Sequence, residues 1–495
     1  MNRRDFLKKG AGGFACLVVG SQLSWLAKSN AFAATQVPAL NFTVTDAIKE
    51  MVTHEPGNNE ATCYFWIYKE ANLPPSCPGP IIFATEGEKI DVNITNELDE
   101  DHNFFIRGVT NSGRIAPGQT KHFSFDAPKA GTYLYYDRLN TPVNRVMGLH
   151  GALIVMPKQP LAGHKWTPYS DPTTRVQRLY DDFGDKSWWP GLAWEEGDVA
   201  TNTPPFRQHV WLTHEASPVL FEEVGSYPPG LDYPAADFIA AFTSDPFLAT
   251  TNDVRVEGDA QSPATTAFNR KPHFFTINGE SGHFAHDNKT ITPMYRIGEP
   301  TLVRILNAGL MDHSMHLHAN HFFVTCINNR VCRNPLWLDV FHLPPMRTMD
   351  YTIPCMRPPD IPNVRGIGRP DPGLTTLTGG LTWPPLQEFD QFFPAEGTMR
   401  TSYDGVGEVD IAVRQSPLCY PMHDHSEPSQ VAQGGNYNCG LMAGIYFIGD
   451  RNTPGQMDFP LDAEFEAMLS SGGSINGTCG PADNEPVVPP IILPE

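Results

Sequence analysis

The chain has 495 residues, 40% of them hydrophobic and 18% charged, which supplies a large buried core and excludes global disorder. Lys and Arg number 35 against 55 Asp and Glu, a net charge of −20 at pH 7, and such a surface repels phosphate backbones and argues against a nucleic-acid partner. The 42 Gly and 47 Pro follow no collagen-like period and favour many turns and short strands over long helices.

In chain order, residues 1–33 read as an address. Asn2-Arg3-Arg4-Asp5-Phe6-Leu7-Lys8 precedes an apolar run from Gly10 to Leu26 and a small-residue cleavage site, Ala31-Phe32-Ala33, the layout of a signal peptide. The paired arginines resemble a twin-arginine signal, so the mature protein is expected in the periplasm or outside the cell. No later stretch approaches 18 apolar residues, which predicts no transmembrane segment in the mature chain. Beyond Cys16 there are eight cysteines, an even number that suits disulfide bonds in an oxidising compartment. Cys63–Cys77 and Cys326–Cys332 are the local pairings to expect. None lies in a C-x-x-C, against a zinc ribbon or a thioredoxin-type site.

Short β-favouring runs follow at residues 80–83, 89–94, 121–125 and 151–156, separated by Gly, Pro and Asn turns, and this spacing suits an antiparallel sandwich over 36–157. Residues 158–204, rich in Pro, Asp and Trp, read as a linker wrapped over the surface. A second set of runs, at 208–212, 274–279, 302–306, 321–324 and 444–448, predicts a second domain over 205–455, with 358–397 as a surface loop. Residues 456–495 read as an extended tail.

Two histidine clusters carry the chemistry. His313-Ser314-Met315-His316-Leu317-His318, with His321 close behind, is one; His423-Asp424-His425 is the other. Residues i and i+2 of a strand share a face, so His316/His318 and His423/His425 form two pairs that converge if their strands are neighbours. Imidazole clusters suit copper or zinc; the alternative is a hydrogen-bonded polar seam. Most of the remaining histidines, among them His102 and His214, read as ordinary surface or strand residues, while His150 is a candidate to face the interface. No G-x-S-x-G, Walker-type loop or Rossmann fingerprint occurs in the setting it needs, and the catalytic residues stay unassigned.

Several stretches resemble the multicopper oxidase family: Cys77-Pro78-Gly79-Pro80, Ile115-Ala116-Pro117-Gly118, Gly131-Thr132-Tyr133, Gly148 to Val155, Phe275 to Gly279, and Leu302 to Gly309 running straight into the first histidine cluster. The match spans about residues 60 to 450 in order and resembles the two-domain members. The resemblance implies an all-β protein of two cupredoxin-like Greek-key β-sandwich domains, copper as cofactor with zinc as the other candidate, and a homotrimer as an open assembly. It also implies what is missing. Phe105-Ile106-Arg107-Gly108 and Tyr136-Asp137-Arg138 stand where the family's first domain supplies four histidines. A guanidinium has no lone pair to offer a metal, so a three-copper cluster is not expected.

The family's blue copper takes a thiolate between two histidines, and Asp424 stands there. Ser429 falls where a second histidine ligand belongs, His313 matches the remaining imidazole, and Met442 the weak axial ligand. Strand alternation turns Asp424 towards His313, predicting an ion pair that plugs the lost site. Arg107 and Arg138 are candidates to line the histidine pocket, or to pair with Asp137, Asp424 or Glu427. Metal candidates are therefore His316, His318, His423 and His425, with His313 beside them. Three functional readings follow: a copper-binding protein with one non-blue site, a metal-free binding or scaffold module, and, least favoured, an oxygen-reducing oxidase.

Overall fold

The structure, a computed structural model, describes residues 39–52, 60–182, 208–243, 270–354 (save 287, 289–290, 298–299 and 319), 399–401, 408–410, 418–431, 439–450 and 491–492. The expected leader, the 358–397 loop and nearly all of the tail lie outside the described residues.

Between residues 40 and 156 the chain runs through β1 (Leu40–Val52), β2 (Glu60–Glu70), β3 (Ile82–Thr85), β4 (Lys89–Asn96), β5 (Phe105–Ile106), β6 (Thr110–Asn111), β7 (Thr120–Asp126), β8 (Gly131–Tyr136) and β9 (His150–Met156). One sheet has the order β2-β1-β4-β7 and the other β3-β9-β8-β5-β6. β1 lies parallel to β4 and β3 parallel to β9, so chain-distant strands meet side by side, as Greek-key crossovers require. The alternating sequence of β4 buries Ile90, Val92 and Ile94 while Asp91 and Asn93 stay partly in water, the period-two pattern of a strand with one wet face. β2 departs from it, with Cys63 to Tyr68 all buried. A helix over Pro218–Gly225 covers it, placing Phe221 5.6 Å from Phe65. Pro218 at the first turn and the Ser217 hydroxyl accepting from Leu220 N start that helix as an N-cap should.

The second sandwich contains β10 (Gln208–Ala216), β11 (Phe274–Ile277), β12 (Met294–Ile297), β13 (Thr301–Asn307), β14 (His313–Leu317), β15 (Phe322–Ile327), β16 (Arg330–Leu338), β17 (Val340–Leu343) and β18 (Thr348–Ile353). A short hairpin of β19 (Met399–Thr401) and β20 (Glu408–Asp410) follows, then β21 (Leu418–Asp424) and β22 (Met442–Asp450). Its sheets have the orders β11-β10-β13-β18-β15-β16 and β12-β22-β21-β14-β17. The fold is all-β, two cupredoxin-like sandwiches. A last strand, β23 (Ile491–Ile492), pairs with β1, so these two tail residues are tied to the first sandwich. The 158–204 connection contains a helix, Thr174–Asp182, that buries Val176 and Tyr180, which is more structure than its composition announces. Among the described residues no helix is long and apolar enough to cross a membrane.

The sandwiches share a boundary of mixed character. Ile81, Leu134, Ala152 and Ile154 of the first pack on Val210, Leu212, Leu306 and Ala308 of the second. Beside this apolar patch the Thr132 hydroxyl donates to Asp350 at 2.6 Å, and Arg304 donates to Thr132, Asp350 and Gln208. Lys49 of β1 reaches Glu280 at 2.7 Å with both side chains buried. Gly279 beside it has φ +84°, and a Cβ there would lie 2.0 Å from the Cys77 carbonyl, so only glycine permits that approach.

The expected disulfides are not formed: Cys63, Cys77, Cys326, Cys332 and Cys439 are free thiols. Across the β15–β16 hairpin Cys326 faces Val331, so Cys332, one residue on, belongs to the opposite face. Cys63 and Cys77 lie in the first core but stay unbonded, and burial raises both thiols, that of Cys77 to about 12.

Removing Arg304 would strip the buried Asp350, whose pKa burial already raises, of its cationic partner. The Arg304→Leu substitution should therefore cost about 3–5 kcal/mol in denaturant unfolding; a loss below about 1 kcal/mol, the worth of a surface pair, would contradict this account of the boundary.

Candidate metal centre

The geometry follows from strand alternation on two neighbours. β14 pairs antiparallel with β21, His316 directly opposite His423 and Met315 opposite Asp424. Met315, Leu317 and Met422 point into the second core. His316, His318 and His423 consequently point out of the same sheet. The His318 Nε2 and His423 Nε2 atoms are 2.7 Å apart. One ligand nitrogen from each of His316, His318 and His423 falls within 4.8 Å of the others. His425 flanks the group, its ring 4.8 Å from that of His316 and 5.1 Å from that of His423. His321 is not in the group; it stacks on Trp337 at 5.2 Å.

Two of these rings are aimed by the backbone. His316 Nδ1–H donates to the Asp339 carbonyl and His423 Nδ1–H to the Asp424 carbonyl, each at 3.1 Å, an assignment that leaves Nε2 of each with its lone pair outward. Such outer partners fix the tautomer of a metal-binding histidine. Burial, and then the neighbouring imidazoles, hold His316 and His318 below the ordinary histidine value, and burial with three histidine neighbours takes His423 down to about 4 despite its backbone bond. These rings are neutral at pH 7, as metal ligation demands. His423 is 8% exposed while His318 is exposed, so an ion here would sit at the protein surface.

His313 belongs to a different site, a correction to its place beside the other four. It lies on the inward face, fully buried. Its Nδ1 contacts Asp424 Oδ2 and its Nε2 contacts Glu215 Oε1, both at 2.7 Å. Both ring nitrogens carry protons held by carboxylates, so neither has a lone pair for copper. Burial opposes the charge on this ring, but Asp424 and then Glu215 outweigh it and raise its pKa to about 10. Asp424 also accepts from Ser314 N at 2.6 Å and Ser426 N at 3.0 Å, tying the two histidine segments together from inside. The Ser429 hydroxyl is engaged by Leu441 N. Met442 is opposite His423 in the β21–β22 pairing, on the outer face rather than beside His313. A blue copper ion therefore does not fit: thiolate and second imidazole are absent, and the first imidazole is closed at both nitrogens.

Glu215 was invisible to motif reading. It is fully buried on β10, accepts from Leu310 N at 2.7 Å, and carries a carboxylate held below its usual value by His313 against the pull of burial. A Cβ on Gly309 would lie 2.1 Å from its Oε2. The buried Arg145, donating to the carbonyls of Ala308 and Gly309, balances the second negative charge. His214 and His150, also buried, lie with ring centres 4.7 Å apart and planes tilted by 45° beside this network.

The first-domain positions offer no ligands. Arg107 and Arg138 are exposed, and Arg138 lies over the Phe105 ring at 4.5 Å. Asp137 is not their partner: it is buried and bound to His102 Nδ1 at 2.7 Å, Asn144 and the Asn103 amide. His102 is thus an interior ion-pair residue rather than a surface one. Burial resists its charge, but its hydrogen bond to the Asp137 carboxylate and the nearby Glu100 carboxylate raise its pKa to about 9. With arginines in these places a three-copper cluster has no second wall.

Residues 74–160 and 257–353 each match a multicopper oxidase family model. These two segments of the chain are similar to multicopper oxidase domains. The first match contains the Arg107 and Arg138 positions, the second His313, His316 and His318. L-ascorbate oxidase of Cucumis sativus is 34% identical over 96 residues, 17% of this chain and 16% of that enzyme. Copper-containing nitrite reductase of Neorhizobium galegae is 29% identical over 100 residues, 18% of this chain and 26% of that one. The alignments thus span well under two thirds of either relative. Among solved structures, the multicopper oxidase mgLAC superposes with a TM-score of 0.47 at 15% identity, covering 88% of this chain and 91% of that one, and the blue copper oxidase from Nitrosomonas europaea with 0.45 at 15% identity, covering 88% and 94%.

The buried triad makes a pH prediction. The His313 contribution to stability is complete below the ordinary histidine value of 6.5 and is lost as pH rises through about 10; that of Glu215 is present above 4.5 and is lost as pH falls. In Glu215→Gln the His313 pKa drops, so stability should start to decline at a lower alkaline pH than in the wild type. Denaturant midpoints measured against pH would contradict this if the two curves kept the same alkaline limb.

Proposed function

We propose that the chain is a copper-binding protein of multicopper oxidase type that holds a single non-blue ion on His316, His318 and His423, with His425 at its edge, and does not reduce oxygen by four electrons. The observation that carries this reading is the convergence of three neutral imidazoles, two of them aimed by backbone carbonyls. Copper suits such donors, and zinc is the other ion they accept. Bound copper would supply a one-electron redox centre there. The chain's own residues aim the Nε2 atoms of His316 and His423 and keep the rings uncharged, so that their lone pairs are free for a metal. The leader motif supports export by the twin-arginine route, with the mature protein in the periplasm or secreted.

The copper-loaded protein, dialysed, should retain about one equivalent per chain without the intense visible band of a thiolate–copper bond. His316→Ala/His423→Ala should lose that ion and stay folded, because both residues lie outside the cores. Copper retention by the double variant, or blue colour with oxygen-dependent oxidation of a phenol, would overturn the reading. Acidification should release the metal, because protonated imidazoles have no lone pair for it.

A further inference from the structure

The row of outward residues does not end at the histidines. Across three adjacent strands the register runs His316, His423, Met442. Its neighbours on β22 are turned the other way: Leu441, Ala443 and Ile445 are buried in the second core, so alternation sends the Met442 side chain out on the histidine face. It is half-buried there. Directly opposed residues of an antiparallel pair have Cβ atoms about 4.5–5.5 Å apart, and a methionine side chain, with three rotatable bonds, spans that gap readily. A residue on an outer strand face is ordinarily polar or short. This one brings a soft, uncharged sulfur to three soft-to-borderline, uncharged nitrogens.

We propose that Met442 is a further ligand of the histidine site and that its thioether makes the site selective for monovalent copper. The proposal rests on the histidine-site reading and deepens it. Cu(I) takes thioether and imidazole donors and needs no anionic ligand, whereas zinc gains little from a thioether. The Asp339 carboxylate approaches His316 Nδ1 at 3.7 Å and so acts on the non-ligating nitrogen. Among His316, His318, His423 and Met442 there is no negative charge to favour Cu(II) over Cu(I). On the far side of His316 the row continues to Val340, which has no donor atom, so the sulfur is supplied from one side only.

The test is competition against a Cu(I)-specific chromogenic chelator under anaerobic reduction, with zinc and Cu(II) affinities measured in parallel on the same full chain. Met442→Leu keeps bulk and apolarity and removes the sulfur. It should weaken Cu(I) binding by about tenfold or more while leaving zinc and Cu(II) nearly unchanged, and X-ray absorption of the Cu(I) form should lose its sulfur scatterer. Equal Cu(I) affinity in wild type and Met442→Leu, with copper still lost in His316→Ala/His423→Ala, would overturn the thioether assignment alone. Copper binding that survives the double variant would overturn both this proposal and the histidine site beneath it.

Discussion

A buried carboxylate, Asp424, ties together the two strands that carry the histidines. From one side chain it contacts His313, the amide of Ser314 and the amide of Ser426, so β14 and the turn after β21 are held in register from inside the second sandwich. Glu215 closes the far nitrogen of His313, and Arg145 restores neutrality. The arrangement puts hydrogen bonds and ion pairing where the family resemblance implies a metal. Its consequence on the other face of the sheet is a set of imidazoles whose positions do not depend on a copper ion behind them. Both faces follow from the period of two: Met315, Leu317 and Met422 turn inward, and His316, His318 and His423 turn outward.

Such an interior is expensive to assemble and costly to break. Two carboxylates, an imidazolium and a guanidinium have been withdrawn from water, which ion pairing offsets only with good geometry and satisfied hydrogen bonds. The 2.7 Å contacts on both His313 nitrogens meet that demand. The site outside is built on the opposite principle. Its rings are uncharged and partly solvated, two of them held by hydrogen bonds to main-chain carbonyls. An ion gained or lost there would leave the core packing untouched.

Much of this was legible in the sequence because strands reveal their faces. The two H-x-H pairs announce a shared outward face, and Asp424 between them announces the inward turn to His313. The short apolar runs placed β4, β7, β9, β10, β13 and β22. What stayed hidden depends on contacts between distant segments. Glu215 is one acidic residue among many until β10 lies beside the loop at Gly309. His102 and His214 look incidental until burial and partners define them. β2 is apolar on both faces only because the Pro218–Gly225 helix covers it, a pairing that no local pattern encodes. The Cys326–Cys332 pairing failed for the same reason: spacing brings the two near, but the hairpin register gives them different faces. Met442 was matched to the axial position by order along the chain, and the pairing of β21 with β22 moved it to the other face.

The metal chemistry proposed for this chain lies on the outer histidine face and not in the interior. Anomalous diffraction at the copper edge from copper-loaded crystals tests it directly. One peak within bonding distance of the Nε2 atoms of His316, His318 and His423, and none beside His313, is the predicted result. A peak lodged between His313 and Asp424, or density at Arg107 and Arg138 marking a multinuclear cluster, would contradict it.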